Sequence, residues 1–272
     1  MKNHRIAFIG AGNMAGSLIG GLVADGFDPG RICAADPDEA RLAWLREHIG
    51  IETSRDNDQA VADADVVVLS VKPQQMKSVA STLSLPSPRP LVISVAAGIR
   101  EEALARWLGE DCPVVRAMPN TPALVQCGAT ALHANARVTP AQRDLAEFVM
   151  RAVGLVVWLK DEALMDAVTA LSGSGPAYVF LVMEAMTRAG RRLGLPEDIA
   201  RLLTLQTTFG AAKMALETSE DSATLRKRVT SPGGTTERAL AVLQGGGLEA
   251  LFERALKAAH ERAGELAQRL GE

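Results

Sequence analysis

Gly10, Gly12 and Ala15 stand in a GxGxxA pattern within RIAFIGAGNMAGSLIGGL, directly after a short apolar run and at the start of an amphipathic stretch. That spacing suits the cradling of a dinucleotide pyrophosphate. Gly10 permits a tight turn, Gly12 lets backbone approach the phosphates, and Ala15 lets helix and strand pack closely. The amides at the start of a helix lack partners inside it and face phosphate charge, which brings Ala11, Asn13 and Met14 into the same expected site. A glycine loop alone is an ordinary turn; the strand before it and the helix after it give this one its meaning.

Asp36 ends a second apolar run, in CAADPDEARL. An acidic residue there would hydrogen-bond a ribose 2′-hydroxyl and favour NAD; it could equally cap the helix that follows Pro37, and Arg41 or another nearby cation could accommodate the 2′-phosphate of NADP. Both cofactors therefore stay open. Two more segments reach the carboxyl ends of expected strands, where open parallel sheets bind ligands. VVVLSVKP delivers Ser70, Val71, Lys72 and Pro73, and a later run delivers Ala96, Ala97 and Gly98, small enough for a flat nicotinamide ring to lie against backbone. Each segment alone reads as a loop start. Their arrival at one sheet edge favours a cofactor site.

The elements that must position these residues follow from periodicity. Short Val- and Ile-rich runs at Arg5 to Ile9, Arg31 to Ala35, Val66 to Val71, Leu91 to Val95, Val114 to Ala117, Ala129 to His133 and Leu155 to Leu159 predict strands buried on both faces. Helical patterns lie between them at Met14 to Asp25, Glu39 to His48, Gln75 to Thr82, Glu101 to Leu108 and Pro140 to Ala152. After Asp161 only helical spacing remains. The expected fold is α/β: a Rossmann-type doubly wound sheet over residues 1–160, followed by an all-helical domain over 161–272. Ala177 to Met186 and Ile199 to Leu216 are apolar nearly all round, in a domain too small to surround them, which predicts burial against another subunit.

Composition excludes other classes. A chain of 272 residues favours two domains, and a formal charge of -3 gives no field for nucleic acid or an anionic membrane. The first apolar stretch, Ile6 to Ile9, is too short for a signal peptide or a membrane span, so a cytoplasmic, soluble protein is expected. Cys33, Cys112 and Cys127 are unclustered and read as small buried apolar residues in a reducing compartment. No cluster of ligand spacing indicates a metal. His4, His48, His133 and His260 form no catalytic set and read as structural or solvated.

RAMPNTPA (116–123), SGSGPAY (172–178) and RVTSPGGTTERAL (228–240), together with GAGNMAGSL and SVKPQ, closely resemble pyrroline-5-carboxylate reductase across essentially the whole chain and in the expected order. The resemblance implies NADP- or NAD-dependent reduction of 1-pyrroline-5-carboxylate to proline, the last step of proline synthesis. It also implies an intertwined homodimer, with assembly of dimers into a decameric ring as a further step. By the same resemblance Ser231, Gly233, Gly234, Thr235 and Thr236 hold the substrate carboxylate, and Ser174 and Gly175 line the pocket beneath the nicotinamide. From the residues alone, SPGGTT is also an ordinary capped helix start, and Ser172 or Ser174 a cap for a helix opening at Pro176. Asn120 could donate to cofactor or substrate, or form an Asx turn.

Reducing a cyclic imine needs a hydride on carbon, a proton on nitrogen and a grip on the carboxylate. Thr236 is the first choice for a hydroxyl at the nitrogen, with Lys72 the alternative through its charge or a water. Two rivals remain. A dehydrogenase of small 3-hydroxy acids would want a lysine on the first long helix of the second domain, and none occurs between Lys160 and Lys213. A dinucleotide-binding sensor without turnover would have no use for a GGTT segment shaped for a small anion.

Overall fold

A computed structural model describes residues 3–271. Strands and helices alternate as β1 (Ile6–Ile9), α1 (Asn13–Ala24), β2 (Ile32–Ala35), α2 (Glu39–His48), β3 (Glu52–Ser54), α3 (Asn57–Val61), β4 (Val66–Leu69), α4 (Pro73–Ala80), β5 (Leu91–Ser94), α5 (Glu101–Leu108), β6 (Val114–Met118), β7 (Gly128–Ala134), α6 (Pro140–Arg151) and β8 (Gly154–Trp158). They build one sheet in the order β3-β2-β1-β4-β5-β6-β7-β8. Strands β1 to β6 are parallel, β7 runs antiparallel to β6, and β8 is parallel to β7. The strand order reverses on either side of β1, and that switch point is where a doubly wound sheet opens a crevice at its carboxyl edge.

The sequence of β1 explains the layering. Ile6 and Phe8 join Leu18 and Ile19 of α1 and Val149 of α6 in one buried cluster, whereas Ala7 and Ile9 join Met76 of α4 and Leu104 of α5 in another. Both faces of the strand are covered, which is why it reads as a continuous apolar run. Helix entries are fixed locally: the Asp56 carboxylate accepts from the amides of Asp58 and Gln59, and Thr139 forms a capping box with Gln142.

Strand β3 and helix α3 have no counterpart among the sequence expectations. The three residues of β3 are polar and none is buried; only backbone pairing of Glu52, Thr53 and Ser54 with β2 makes them a strand. Most other bounds move by one or two residues.

The chain forms two compact units. The first runs to Ser174 and takes back the chain from Ala258 onward, so the expected boundary at 160 falls inside it. Beyond β8 the first unit continues through a 3-10 turn at Glu162–Leu164, α7 (Met165–Val168) and a π-helical turn at Thr169–Gly173. Long-range contacts bind this segment: Glu162 pairs with Arg116, and the Ser172 carbonyl accepts from Asn120 Nδ2 at 3.0 Å. The second unit holds α8 (Gly175–Arg192), α9 (Glu197–Glu217), α10 (Ser222–Arg228), α11 (Thr235–Gly245) and the start of α12 (Leu248–Leu270). Helices α8 and α9 pack on each other, yet Phe180, Leu181, Leu202 and Phe209 are exposed on the single chain. Ser172 Oγ donates to the Val168 carbonyl and the Ser174 amide to that of Thr169, the wide spacing of a π turn, which Ser174 ends directly before α8.

The cysteines correct a second expectation. Cys112 is buried, Cys33 only partly so, and Cys127 is exposed beside Gln126, which adopts a left-handed conformation.

Candidate active site

The glycine loop lies where β1 meets α1. Gly10 has φ +95°, and a Cβ on it would stand 2.9 Å from the carbonyl carbon and oxygen of Ser70. The residue is glycine because the end of β4 passes too close for a side chain. Ser70 reinforces that approach, its hydroxyl donating to the carbonyls of Gly10 at 2.7 Å and Ile9 at 3.1 Å. Ser70 thus shapes the loop. Ala15 is fully buried against the sheet, as close helix packing demands.

A cleft of about 570 Å³ opens beside the loop, lined by Ala11, Gly12, Asn13, Gly16, Ser17, Arg41, Trp44 and Leu124 among others. Arg41 Nη1 lies 3.4 Å from where a Gly12 Cβ would be, while its Nε is 3.3 Å from Asp38 Oδ2. Trp44 is 52% exposed and stacks on His48 with ring centroids 4.8 Å apart. A space of that volume bounded by the glycine loop, a guanidinium and an open indole has the parts that dinucleotide binding needs. The sequence singled out neither Trp44 nor Leu124. Trp44 was within reach, since it lies three residues beyond Arg41 and so on the same face of α2.

Asp36 does not cap α2; that cap is Asp38, whose carboxylate accepts from the amides of Ala40 and Arg41. Asp36 instead accepts the Ala11 amide on one oxygen at 2.7 Å and the Asp38 amide on the other at 2.9 Å. The Ala11 N–H is therefore committed within the chain.

At the edge of the same sheet, Lys72 is exposed at the N-cap of α4, with Pro73 in its first turn. Ala96 is buried, Ala97 half-buried, and Gly98 has φ +75°. A Cβ on Gly98 would meet Leu270 Cδ1 at 3.5 Å, so the loop after β5 rests on the end of α12. Asn120 is spent structurally: its Nδ2 donates to Ser172 and its Oδ1 accepts the Ala129 amide at 2.9 Å. It ties the MPNTP turn to β7 and to the segment before α8.

A partly buried charge cluster forms around Arg116 of β6. Arg116, 7% exposed, pairs with Glu162; Glu162 Oε1 also accepts the Glu101 amide at 2.7 Å; and Glu101 Oε2 is 3.1 Å from His133 Nδ1. Burial and then the neighbouring Glu162 charge push the Glu101 carboxyl above its ordinary value, with His133 and Arg116 opposing. His133 thus meets Glu101 within this cluster.

In the second unit, Gly233 has φ +71° and its amide donates to Glu237 Oε2 at 2.7 Å. Gly234 is the N-cap of α11 without a side-chain bond, Thr235 is exposed, and Thr236 is half-buried in the first turn. Ser231 is exposed, and its carbonyl accepts the Gly234 amide at 3.0 Å. A carboxylate, here the chain's own, already sits at this helix start. Among the described residues, no group of three or more His, Cys, Asp or Glu side chains is placed to hold a metal ion, and no helix is long and apolar enough to cross a membrane.

Comparison with known proteins gives this geometry a lineage. A family model for pyrroline-5-carboxylate reductase dimerisation matches residues 162–266, which marks the chain as a homo-oligomer, and one for NADP oxidoreductase, coenzyme F420-dependent, matches residues 5–98. The solved pyrroline-5-carboxylate reductase of Coxiella burnetii is similar at TM-score 0.90 and 49% identity, covering 97% of this chain and 98% of that one. The pyrroline carboxylate reductase of Plasmodium falciparum, solved with NADP bound, is similar at TM-score 0.85 and 26% identity over 98% and 99% of the two chains. The pyrroline-5-carboxylate reductase of Pseudomonas aeruginosa is 55% identical over 273 residues, spanning all of both chains. A glycine loop on a doubly wound sheet fits that lineage, and with such identity over its whole length the chain belongs to the pyrroline-5-carboxylate reductase family.

Proposed function

We propose that this oxidoreductase reduces 1-pyrroline-5-carboxylate to L-proline, with NADPH or NADH as hydride donor, in the last step of proline synthesis. The observation that carries the reading is the carboxylate of Glu237 resting on the Gly233 amide at the start of α11. That carboxylate is the chain's own, so a substrate carboxylate would displace it from the Gly233 amide, and family membership supplies the substrate that has one.

The dinucleotide, when bound, supplies the hydride. The chain's own part is binding and orientation. Gly12, Asn13 and Met14 at the start of α1 hold the pyrophosphate, Arg41 and Trp44 flank the adenosine half, and Ala96 to Gly98 leave room for the nicotinamide. Gly233, Gly234 and Thr235 take the substrate carboxylate, while Ser174 and Gly175 set the size of its pocket. Thr236 stands in the first turn of α11, where its hydroxyl serves the ring nitrogen; Lys72, exposed at the sheet edge, is the alternative. If the imine arrives protonated, its carbon is already electrophilic, and positioning supplies most of the catalysis.

In the assembly, the segment at Gly233 of one protomer serves the cofactor held by its partner, so a monomer is nearly inactive. The exposed apolar faces of α8 and α9 support the dimer; assembly of dimers into a decamer and a cytoplasmic location complete the reading. Initial rates of NADPH and NADH oxidation with five- and six-membered cyclic imino acids test it. Turnover with the five-membered ring is expected. Turnover confined to a 3-hydroxy acid, or dinucleotide binding without turnover, would sink it.

A further inference from the structure

The loop that follows β5 is clamped from behind by groups the proposed chemistry does not use. Glu101 opens α5 three residues after Gly98, and its backbone N–H donates to Glu162 Oε1 at 2.7 Å. The same oxygen accepts from Arg116 of β6, whose side chain is almost wholly buried. Four residues further on, Asp166 Oδ2 stands 3.8 Å from Arg100 Nη2, at the residue before Glu101. Together with Gly98 resting on the end of α12, these contacts leave the loop little freedom of height or tilt.

A buried ion pair is a weak source of net stability, because desolvation offsets most of its attraction. What it does provide is a fixed point. A carboxylate held in place by a guanidinium makes a strong, directional acceptor for one amide. Hydride transfer is sensitive to such placement, since a displacement of about 1 Å at the reacting groups can cost on the order of a hundredfold in rate.

We propose that Glu162 is a positioning residue for hydride transfer: held by Arg116, it takes the Glu101 amide and so fixes the Ala96–Gly98 loop against which the nicotinamide lies. This rests on the reading of that loop as the nicotinamide platform. Glu162→Gln keeps an acceptor for the amide and removes the charge that pairs with Arg116, whereas Glu162→Ala removes both. A second pair leaves Glu162 and Arg116 intact. Glu101→Pro removes the donated N–H at a first helical position, where proline is tolerated, together with the carboxylate that meets His133, and Glu101→Gln controls for the lost carboxylate.

Steady-state rates with imine substrate are measured well below each variant's melting temperature. Both Glu162 variants are expected to melt lower than wild type. Yet kcat should fall at least about tenfold in Glu162→Ala and Glu101→Pro, while staying within about threefold of wild type in Glu162→Gln and Glu101→Gln, with the imine KM little changed throughout. A kcat that follows melting temperature instead, or equal losses in the Ala and Gln variants, overturns the proposal. Ala97→Leu separates the two readings. If a bulky side chain there leaves turnover intact, the platform reading fails and this inference with it; if it abolishes turnover while the Ala and Gln contrasts are absent, the role of Glu162 alone is wrong.

Discussion

Asp36 at the end of β2 accepts the Ala11 amide of the glycine loop at 2.7 Å, which places a fixed negative charge beside the expected cofactor while Arg41 stands on the other side of Gly12. Neighbouring Asp38 is held by Arg41 itself. The cleft thus holds in Arg41 a cation suited to a 2′-phosphate, and Asp36 is an acceptor bound to the glycine loop that helps line it. Arg41→Ala should lower kcat/KM for NADPH about tenfold, the worth of one charge-assisted hydrogen bond, and alter it less than about twofold for NADH. Equal losses with both dinucleotides would show that Arg41 does not read the phosphate.

Gly10 and Gly20 make a matched pair on either side of the first turn of α1. A methyl group at Gly10 meets Ser70 backbone at 2.9 Å and sits on a φ of +95°; at Gly20, inside the helix, it meets nothing within 4 Å. Gly10→Ala should destabilise the chain by roughly 1–3 kcal/mol and weaken dinucleotide binding at least about tenfold. Gly20→Ala should stabilise it by about 0.5–1 kcal/mol. Thermal melting and fluorescence titration with NADPH read both, and a Gly10→Ala protein that binds normally would refute the packing account.

Glu101 predicts a pH trend. Its carboxyl is raised by burial and by Glu162, so its contribution to stability is fully present below about the ordinary glutamate value of 4.5 and is lost as pH rises through the folded-state value. Glu101→Gln removes that loss. The melting temperature of the variant relative to wild type should therefore climb between pH 4 and pH 7, and a flat or falling difference would contradict the assignment.

The thiols should react in order of exposure. Burial pushes the Cys112 thiol up to about 11 and that of Cys33 in the same direction, whereas Cys127 is exposed. Because the thiolate is the reactive form, a maleimide should modify Cys127 in the native protein and Cys112 only after unfolding. Mass spectrometry of partially labelled protein decides it, and early loss of Cys112 would contradict the packing described.

The exposed rings of Phe180 and Phe209 should lie in an interface. Phe209→Asp is expected to shift the mass seen by light scattering toward one chain and to reduce turnover at least about tenfold, since hydrophobic interface cores do not tolerate an unpaired charge. A fully active monomer would reject the shared-site arrangement.

The sequence by itself determined the sheet, the glycine loop and the helical second part, because each is written in contiguous residues whose apolar period or turn chemistry is local. Ile6 to Ile9 followed by Gly10 needs no distant partner to be read. Strand β3 was silent for the opposite reason: its polar residues become a strand only by pairing with Cys33 to Ala35. Tertiary structure alone decided that Asp38 and not Asp36 caps α2, that Asn120 joins Ala129 to Ser172, that a π turn over Thr169–Gly173 leads to α8, and that the first compact unit reclaims the end of α12. The Glu162 contact to Glu101 spans 61 residues. Which oxygen meets which amide over such a distance follows from how strands are ordered and helices laid across them, and neighbouring letters in the chain carry no trace of it.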